Sequence, residues 1–242
     1  MLLFLVLCPL FAAVLIMVGA PARLTALIAA ILNLIAILAL LSVFNHAASG
    51  FQFVSSFVVS SDWQIHLAFG VDGLSLLMLL LATIVTVAAV WFTDKIDNYE
   101  NAFYACLLFI SAGALGAFAS IDLFFFYAFH ELALIPTFLL IGIWGTGNRV
   151  RAAWKITIYL TLGSFILLIG LILLYQSFPP PERSFDIRHL HEAAVVHAIP
   201  GAEQRHIYLL LLTGFGILVS LFPFHSWAPE AYASAPAPAA ML

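Results

Sequence analysis

Seven apolar stretches, almost free of charge, account for most of the chain: residues 2–19, 24–44, 70–92, 101–119, 121–144, 152–175 and 207–222. An eighth starts near the C-terminus. The hydrocarbon core of a bilayer, about 30 Å thick, is crossed by about 20 residues of helix. Runs of that length, in a chain that is 64% hydrophobic and 8% charged, exclude a soluble globular domain. Within lipid the backbone satisfies its own N–H and C=O groups only as helices or closed barrels, and runs this long and this apolar read as helices. The expected fold is an all-α polytopic bundle of seven transmembrane helices plus the start of an eighth, forming a single membrane domain over 1–242. The first segment, MLLFLVLCPLFAAVLIMVGA, has no basic start and too long an apolar run for a secretory leader, so it is expected to be a retained helix.

The basic residues sort by side. Arg23, Lys95, Arg149, Arg151 and Lys155 all follow odd-numbered segments, whereas the long connections 45–69 and 176–206 lie on the other side, where Arg183, Arg188 and Arg205 are balanced by Glu182, Asp186, Glu192 and Glu203. Excess Lys and Arg marks cytoplasmic loops, which places the N-terminus outside. The formal net charge of -4 carries no basic patch for nucleic acid. Cys8 and Cys106 lie within apolar runs, where thiols pack as small hydrophobes.

In the fifth segment, FFFYAFHELALIPTFLLIG holds two adjacent titratable residues, His130 and Glu131. A carboxylate near the bilayer midplane costs roughly 2.5–3.5 kcal/mol, so Glu131 must be paired, protonated or turned toward water. That suits a proton relay; the alternative is a structural acid bonded to a neighbouring helix. Pro136 leaves the Leu132 carbonyl without its usual donor and predicts a kink beside the acid. His130 is either a second protonatable group or a bonded core histidine, and neighbours on a helix point about 100° apart. Lys155 lies too near the cytoplasmic edge to pair directly with Glu131. It either biases Glu131 through water or the low-dielectric field, or extends toward the cytoplasm.

The seventh segment and its sequel, TGFGILVSLFPFHSWAPEAYASAPAPAAML, gather Gly214, Gly216, Pro223, Pro229, Pro236 and Pro238 around His225. Such a run breaks a helix, and broken membrane helices line polar cavities; a helix end followed by a Pro-rich loop is the plainer reading. The small residues of SAGALGAFAS predict close packing of the fourth helix. Asp72 and Asp122 stand where caps are expected. The linker FPPPERSFDIRHLHEAAVVHAIPGAEQ is expected to hold an amphipathic turn or two. Its His189, His191 and His197 read as a polar face, their spacing fitting no closed metal set.

The stretches FGVDGLSLL, SIDLFFFYAFHELALIPTFLLIGIWG, RAAWKITIYLTLGS, FPFHSWAPEA and SAPAPAAML, in this order, resemble the antiporter-like membrane subunits of respiratory complex I, subunit M in particular, from about residue 69 onward. The resemblance implies a proton-transfer role for Glu131, Lys155 and His225, with His130 standing where the family has Trp. It implies no redox cofactor and no bound metal, an integral position in the bacterial inner membrane, and other membrane-arm subunits of complex I as partners. It also implies two departures. Leu218 occupies the place of the family's seventh-helix lysine, a role His130 could share. The chain stops as the eighth helix starts, so that 101–242 forms most of one five-helix repeat, which a separate chain would have to complete. A multisubunit cation/proton antiporter subunit and a truncated fragment without transport are the rival readings.

Overall fold

The computed structural model describes residues 1–48 and 50–242. Its helices are α1 (Leu2–Val18), α2 (Ala22–Val43), α3 (Gly73–Trp91), α4 (Glu100–Ala119), α5 (Leu123–Leu132), α6 (Leu134–Trp144), α7 (Arg149–Gln176), α8 (Ile187–Val196), α9 (Gly201–Leu218), α10 (Ala228–Ser234) and α11 (Ala237–Met241). Among the described residues, five spans are long and apolar enough to cross a membrane: α2, α3, α4, α5 together with α6, and α7. The expected seven included α1, which is short at 17 residues, and α9, whose first turns carry Glu203 and Arg205 and whose apolar part ends at Leu218.

Helix α4 sits at the centre, packed against α1, α2, α3, α5 and α6. Its residues are apolar or small on every side, and thirteen of its twenty are buried, as expected of a helix with no face assigned to water or lipid. One end of the bundle gathers the cations: Arg23 Nη2 donates to Trp91 O (2.9 Å), Trp144 Nε1 to Asn98 O (2.9 Å), and Thr146 N to Ser234 O (2.8 Å). The starts of α2, α4 and α7 therefore share a level with the ends of α3, α6 and α10.

The opposite end departs from an all-α expectation. Residues 45–69, expected as a plain connection, contain β1 (Gln52–Ser60), which pairs antiparallel with β2 (Ile65–Val71). The strand composition, FVSSFVVS and IHLAFGV, is rich in β-branched and aromatic residues. Two register irregularities in the hairpin and the mostly exposed β1 obscure the period-two pattern. Asp122 ties this end together. Fully buried, it accepts Phe124 N–H (3.0 Å) and Phe125 N–H (3.2 Å) at Oδ1, capping α5, and His66 N–H of β2 (3.1 Å) at Oδ2. Its backbone bridges to Asp186 in the linker. Asp72 caps α3 through a reciprocal pair with Ser75 (2.8 Å each way). The linker's expected amphipathic turn is the ten-residue α8, capped by Asp186.

The fifth segment is two helices, not one: the chain turns at Ala133, between Glu131 and Pro136. Close approach on either side of this break depends on glycine. A Cβ on Gly113 would lie 2.7 Å from Phe129 O, and one on Gly116 would run into the Phe129 ring. Between α7 and α9, a Cβ on Gly163 would meet Ile217 at 2.7 Å and one on Gly214 would meet the Leu167 backbone at 2.8 Å. Gly214 and Gly216 thus sit inside regular helix, and the break expected near them comes after Leu218.

Gly113→Ala forces α4 away from the α5 backbone, and overpacking of this kind costs about 1–3 kcal/mol. Thermal unfolding in detergent should show a lowered midpoint for Gly113→Ala and none for Gly73→Ala, whose new methyl meets open space. At the hairpin end, burial pushes the Asp186 carboxyl up, but the Arg188 guanidinium (2.6 Å) and Arg188 N–H (2.8 Å) outweigh it and hold it below the usual carboxylate range. The resulting stability is complete above the unfolded value of about 4 and lost as pH falls through the lower native value. The advantage of the wild-type protein over Asp186→Asn should therefore shrink on acidification, a comparison of melting points at neutral and acid pH being the check.

Candidate functional site

The capped start of α5 fixes the depth of Glu131. The acid lies eight residues beyond Leu123 and thirteen before Trp144, hence about 12 Å from the Leu123 end of this span and about 20 Å from the Trp144 end at 1.5 Å per residue. Ser164 Oγ of α7 donates to Glu131 Oε1, and His130 Nδ1 lies 3.4 Å from the same oxygen. Ser164 is 1% exposed, while the His130 and Glu131 side chains each keep about 30%. One face of Glu131 borders a cavity of about 540 Å³ between α1, α4 and α5–α6, lined by Met17, Cys106, Phe109, Pro136 and Leu139 among others. Among the described residues, Glu131 is the one charged side chain on that wall.

The break at Ala133 supplies further polar groups. Ala133 N–H turns to His130 O (3.3 Å), and Pro136 has no N–H to offer the Leu132 carbonyl. At the start of α6, both the N–H (3.1 Å) and the hydroxyl (2.7 Å) of Thr137 donate to Ala133 O, the carbonyl next to that of Leu132. A carboxyl, an imidazole and a hydroxyl thus meet beside a distorted helix turn, inside a span that is otherwise apolar. Each can give or take a proton or a hydrogen bond according to its state. The approach of His130 to Glu131 was not implied by their adjacency on a helix.

Lys155 stands elsewhere. Its Nζ donates to Glu230 Oε1 (2.6 Å) and Ser226 O (2.7 Å), and Tyr159 Oη lies 2.9 Å from Ser226 Oγ. These contacts tie α7 to the segment beyond the broken α9, which Trp227 fastens from inside by donating to Ile217 O (3.1 Å). Ser164 is nine residues farther along α7 than Lys155, about 13 Å. His225 is exposed on the short 3-10 turn Phe224–Trp227, its ring stacked on Phe222 with centroids 5.5 Å apart. Leu218 is the last residue of α9. The structure therefore brings His130 to Glu131 and leaves Lys155 and His225 in other surroundings.

Two site residues had no sequence signal. Ser164, in TLGSF, looks like any small packing residue, and Glu230 follows a Trp-Ala-Pro run 75 residues from the lysine it meets. In the linker, His197 Nε2 lies 3.1 Å from Glu182 Oε1, and among the described residues no group of three His, Cys, Asp or Glu converges to hold a metal.

Residues 120–242, from the turn before α5 onward, match the family described as NADH:quinone oxidoreductase/Mrp antiporter, TM. F(420)H(2) dehydrogenase subunit M of Methanosarcina mazei is 34% identical over 205 residues, 82% of this chain and 41% of that protein. NADH-quinone oxidoreductase subunit M of Rhodobacter capsulatus is 33% identical over 226 residues, 89% of this chain and 43% of that protein. A chain in the structure of respiratory complex I from Thermus thermophilus superposes with a TM-score of 0.83 at 25% identity, covering 97% of this chain and 47% of that one. The chain thus spans about two fifths of the length of these curated relatives. With half of its residues matched, including the whole of α5, its break and α7, the protein belongs to the NADH:quinone oxidoreductase/Mrp antiporter family of integral membrane proteins.

Proposed function

We propose that the chain is a proton-translocating membrane-arm subunit of an NADH-quinone-oxidoreductase-type complex, and that Glu131 takes up and releases the proton. The observation that carries this reading is the Glu131 carboxyl itself. It is held mid-span at a helix break, hydrogen-bonded on one side and facing a cavity on the other. An ionisable group at that depth is a functional site by default, since a scaffold gains nothing from the cost of placing it there. His130 is the neighbour with which Glu131 exchanges the proton.

Lys155 acts in this scheme through Glu230, by holding the segment after the α9 break against α7. His225, beyond that break, belongs to the continuation of the path. The chain itself carries no redox centre; quinone reduction falls to other subunits, and the remaining membrane-arm subunits are its partners. The cationic end, with Arg23, Lys95, Arg149 and Arg151, faces the cytoplasm, which sets the N-terminus outside a bacterial plasma membrane. A cation/proton antiporter subunit is the second reading, favoured by the family description, which spans both kinds of complex. Subunits that copurify decide between them: redox subunits with flavin or iron–sulfur centres support the first, further antiporter subunits the second.

Glu131→Gln keeps the size and the hydrogen-bonding oxygen and removes the titration. In the assembled complex it should leave quinone reductase assembly intact and reduce proton uptake to background; undiminished pumping overturns the proposal. Lys155→Met and Glu230→Gln remove the two ends of one contact. Their effects on pumping should therefore be alike, and the double variant no worse than either alone.

A further inference from the structure

We infer that Ser164 is the positioning residue of the Glu131 carboxyl, a hydroxyl whose direction follows the protonation state of that acid. The inference rests on the proposed role of Glu131. Ser164 Oγ donates to Glu131 Oε1 from a helix that neither precedes nor follows α5 directly, and Ser164 is 1% exposed, so water does not compete for the bond. The groups around Glu131 are few. His130 faces it from α5 itself, the Cys106 thiol lines the same cavity from α4, and α1 and α6 contribute Met17, Ile135, Pro136 and Leu139, none of which titrates. The nearest lysine along α7, Lys155, is engaged by Glu230. Ser164 is thus the donor that a helix other than α5 supplies to the carboxyl.

A hydroxyl is suited to this place because it both donates and accepts. Toward an ionised Glu131 it donates, as seen. When Glu131 takes a proton, the carboxyl becomes a donor, and Ser164 can rotate to accept from it while giving its own hydrogen to the Leu160 carbonyl one turn back, a bond that serine in helices commonly makes. Neither state leaves a buried polar atom of the pair unpaired. A lysine at this position could not accept, and an alanine could do neither.

Its location also couples the carboxyl to α9. Gly163, next to Ser164, is where α9 comes close enough for a Cβ to collide with Ile217, and Leu167, three residues on, packs on Gly214. A shift of α9 along this seam therefore moves the α7 backbone that carries Ser164, and with it the bond to Glu131.

Infrared difference spectra of the assembled complex, recorded across a pH series, test this through the carbonyl stretch of protonated Glu131, assigned as the band lost in Glu131→Gln. Ser164→Ala should displace the pH midpoint of that band by about one unit, a tenfold change in proton affinity. Ser164→Thr, which retains the hydroxyl, should restore the wild-type midpoint. An unmoved midpoint in Ser164→Ala, or equal displacement in both variants, overturns the positioning role. A wild-type complex in which no such band titrates at any pH overturns the reading of Glu131 as a proton carrier instead, so the two failures are distinct.

Discussion

A polar atom inside a membrane has no water to fall back on, and this structure is organised by where most of its buried side-chain polar atoms find partners, Asn33 Oδ1 being an exception. Asn33 Nδ2 on α2 donates to Leu5 O of α1 (2.9 Å), and Thr86 of α3 shares a hydrogen bond with Ser111 of α4 (2.9 Å), so helix contacts in the first half of the bundle are pinned by single polar pairs. At the hairpin end, Asp122 uses both carboxyl oxygens on three backbone N–H groups from two elements. An isolated unsatisfied polar group costs several kcal/mol in hydrocarbon, which makes these pairings positional constraints as much as sources of stability. Glu131 obeys the same rule with a difference: its partners are two side chains, a hydroxyl and an imidazole, rather than backbone groups.

Those partners come within reach because of residues that have no side chain at all. Gly113 and Gly116 let α4 press against Phe129, which sets the rotation of α5 and hence the direction of Glu131. Gly163 and Gly214 let α7 and α9 approach along their backbones, which sets the position of Ser164. Small residues at helix contacts are how membrane helices gain close van der Waals packing without a hydrophobic driving force between them. Here two such seams converge on one hydrogen bond.

Much of this was legible in the sequence, for physical reasons that differ from part to part. The order of the spans came from runs of apolar residues, since hydrophobic length is a property of the chain alone. The cationic end came from Arg23, Lys95, Arg149 and Arg151 because topology is set by local charge. Glu131 was legible because an acid in such a run is costly wherever its neighbours lie, and Asp72 and Asp122 because capping is a local interaction. The hairpin was hidden by its mostly exposed first strand and by the register shifts near Gln52 and Ser60. The kink was expected beside the acid, where Pro136 leaves the Leu132 carbonyl without a donor, and the break between Leu132 and Leu134 lies at that place. Ser164 and Glu230 were invisible because their meaning depends entirely on residues 33 and 75 positions away.

The character of the Glu131 site depends on how charges elsewhere are held. With Leu218 apolar at the end of α9 and Lys155 occupied by Glu230, the carboxyl is met by the Ser164 hydroxyl and the His130 imidazole, with no Lys or Arg beside it among the described residues. Placing a carboxylate near the bilayer midplane costs roughly 2.5–3.5 kcal/mol. A hydrogen bond to a charged group returns about 1.5–3 kcal/mol. These magnitudes are comparable, so hydrogen bonds from one hydroxyl and one imidazole offset a substantial part of the cost of holding the carboxyl at this depth. A permanent ion pair would tilt the balance firmly toward the carboxylate, and an apolar wall firmly toward the acid. In the proposed role, a group that both binds and releases a proton needs neither extreme, and the partners gathered at the break between α5 and α6 fit that requirement.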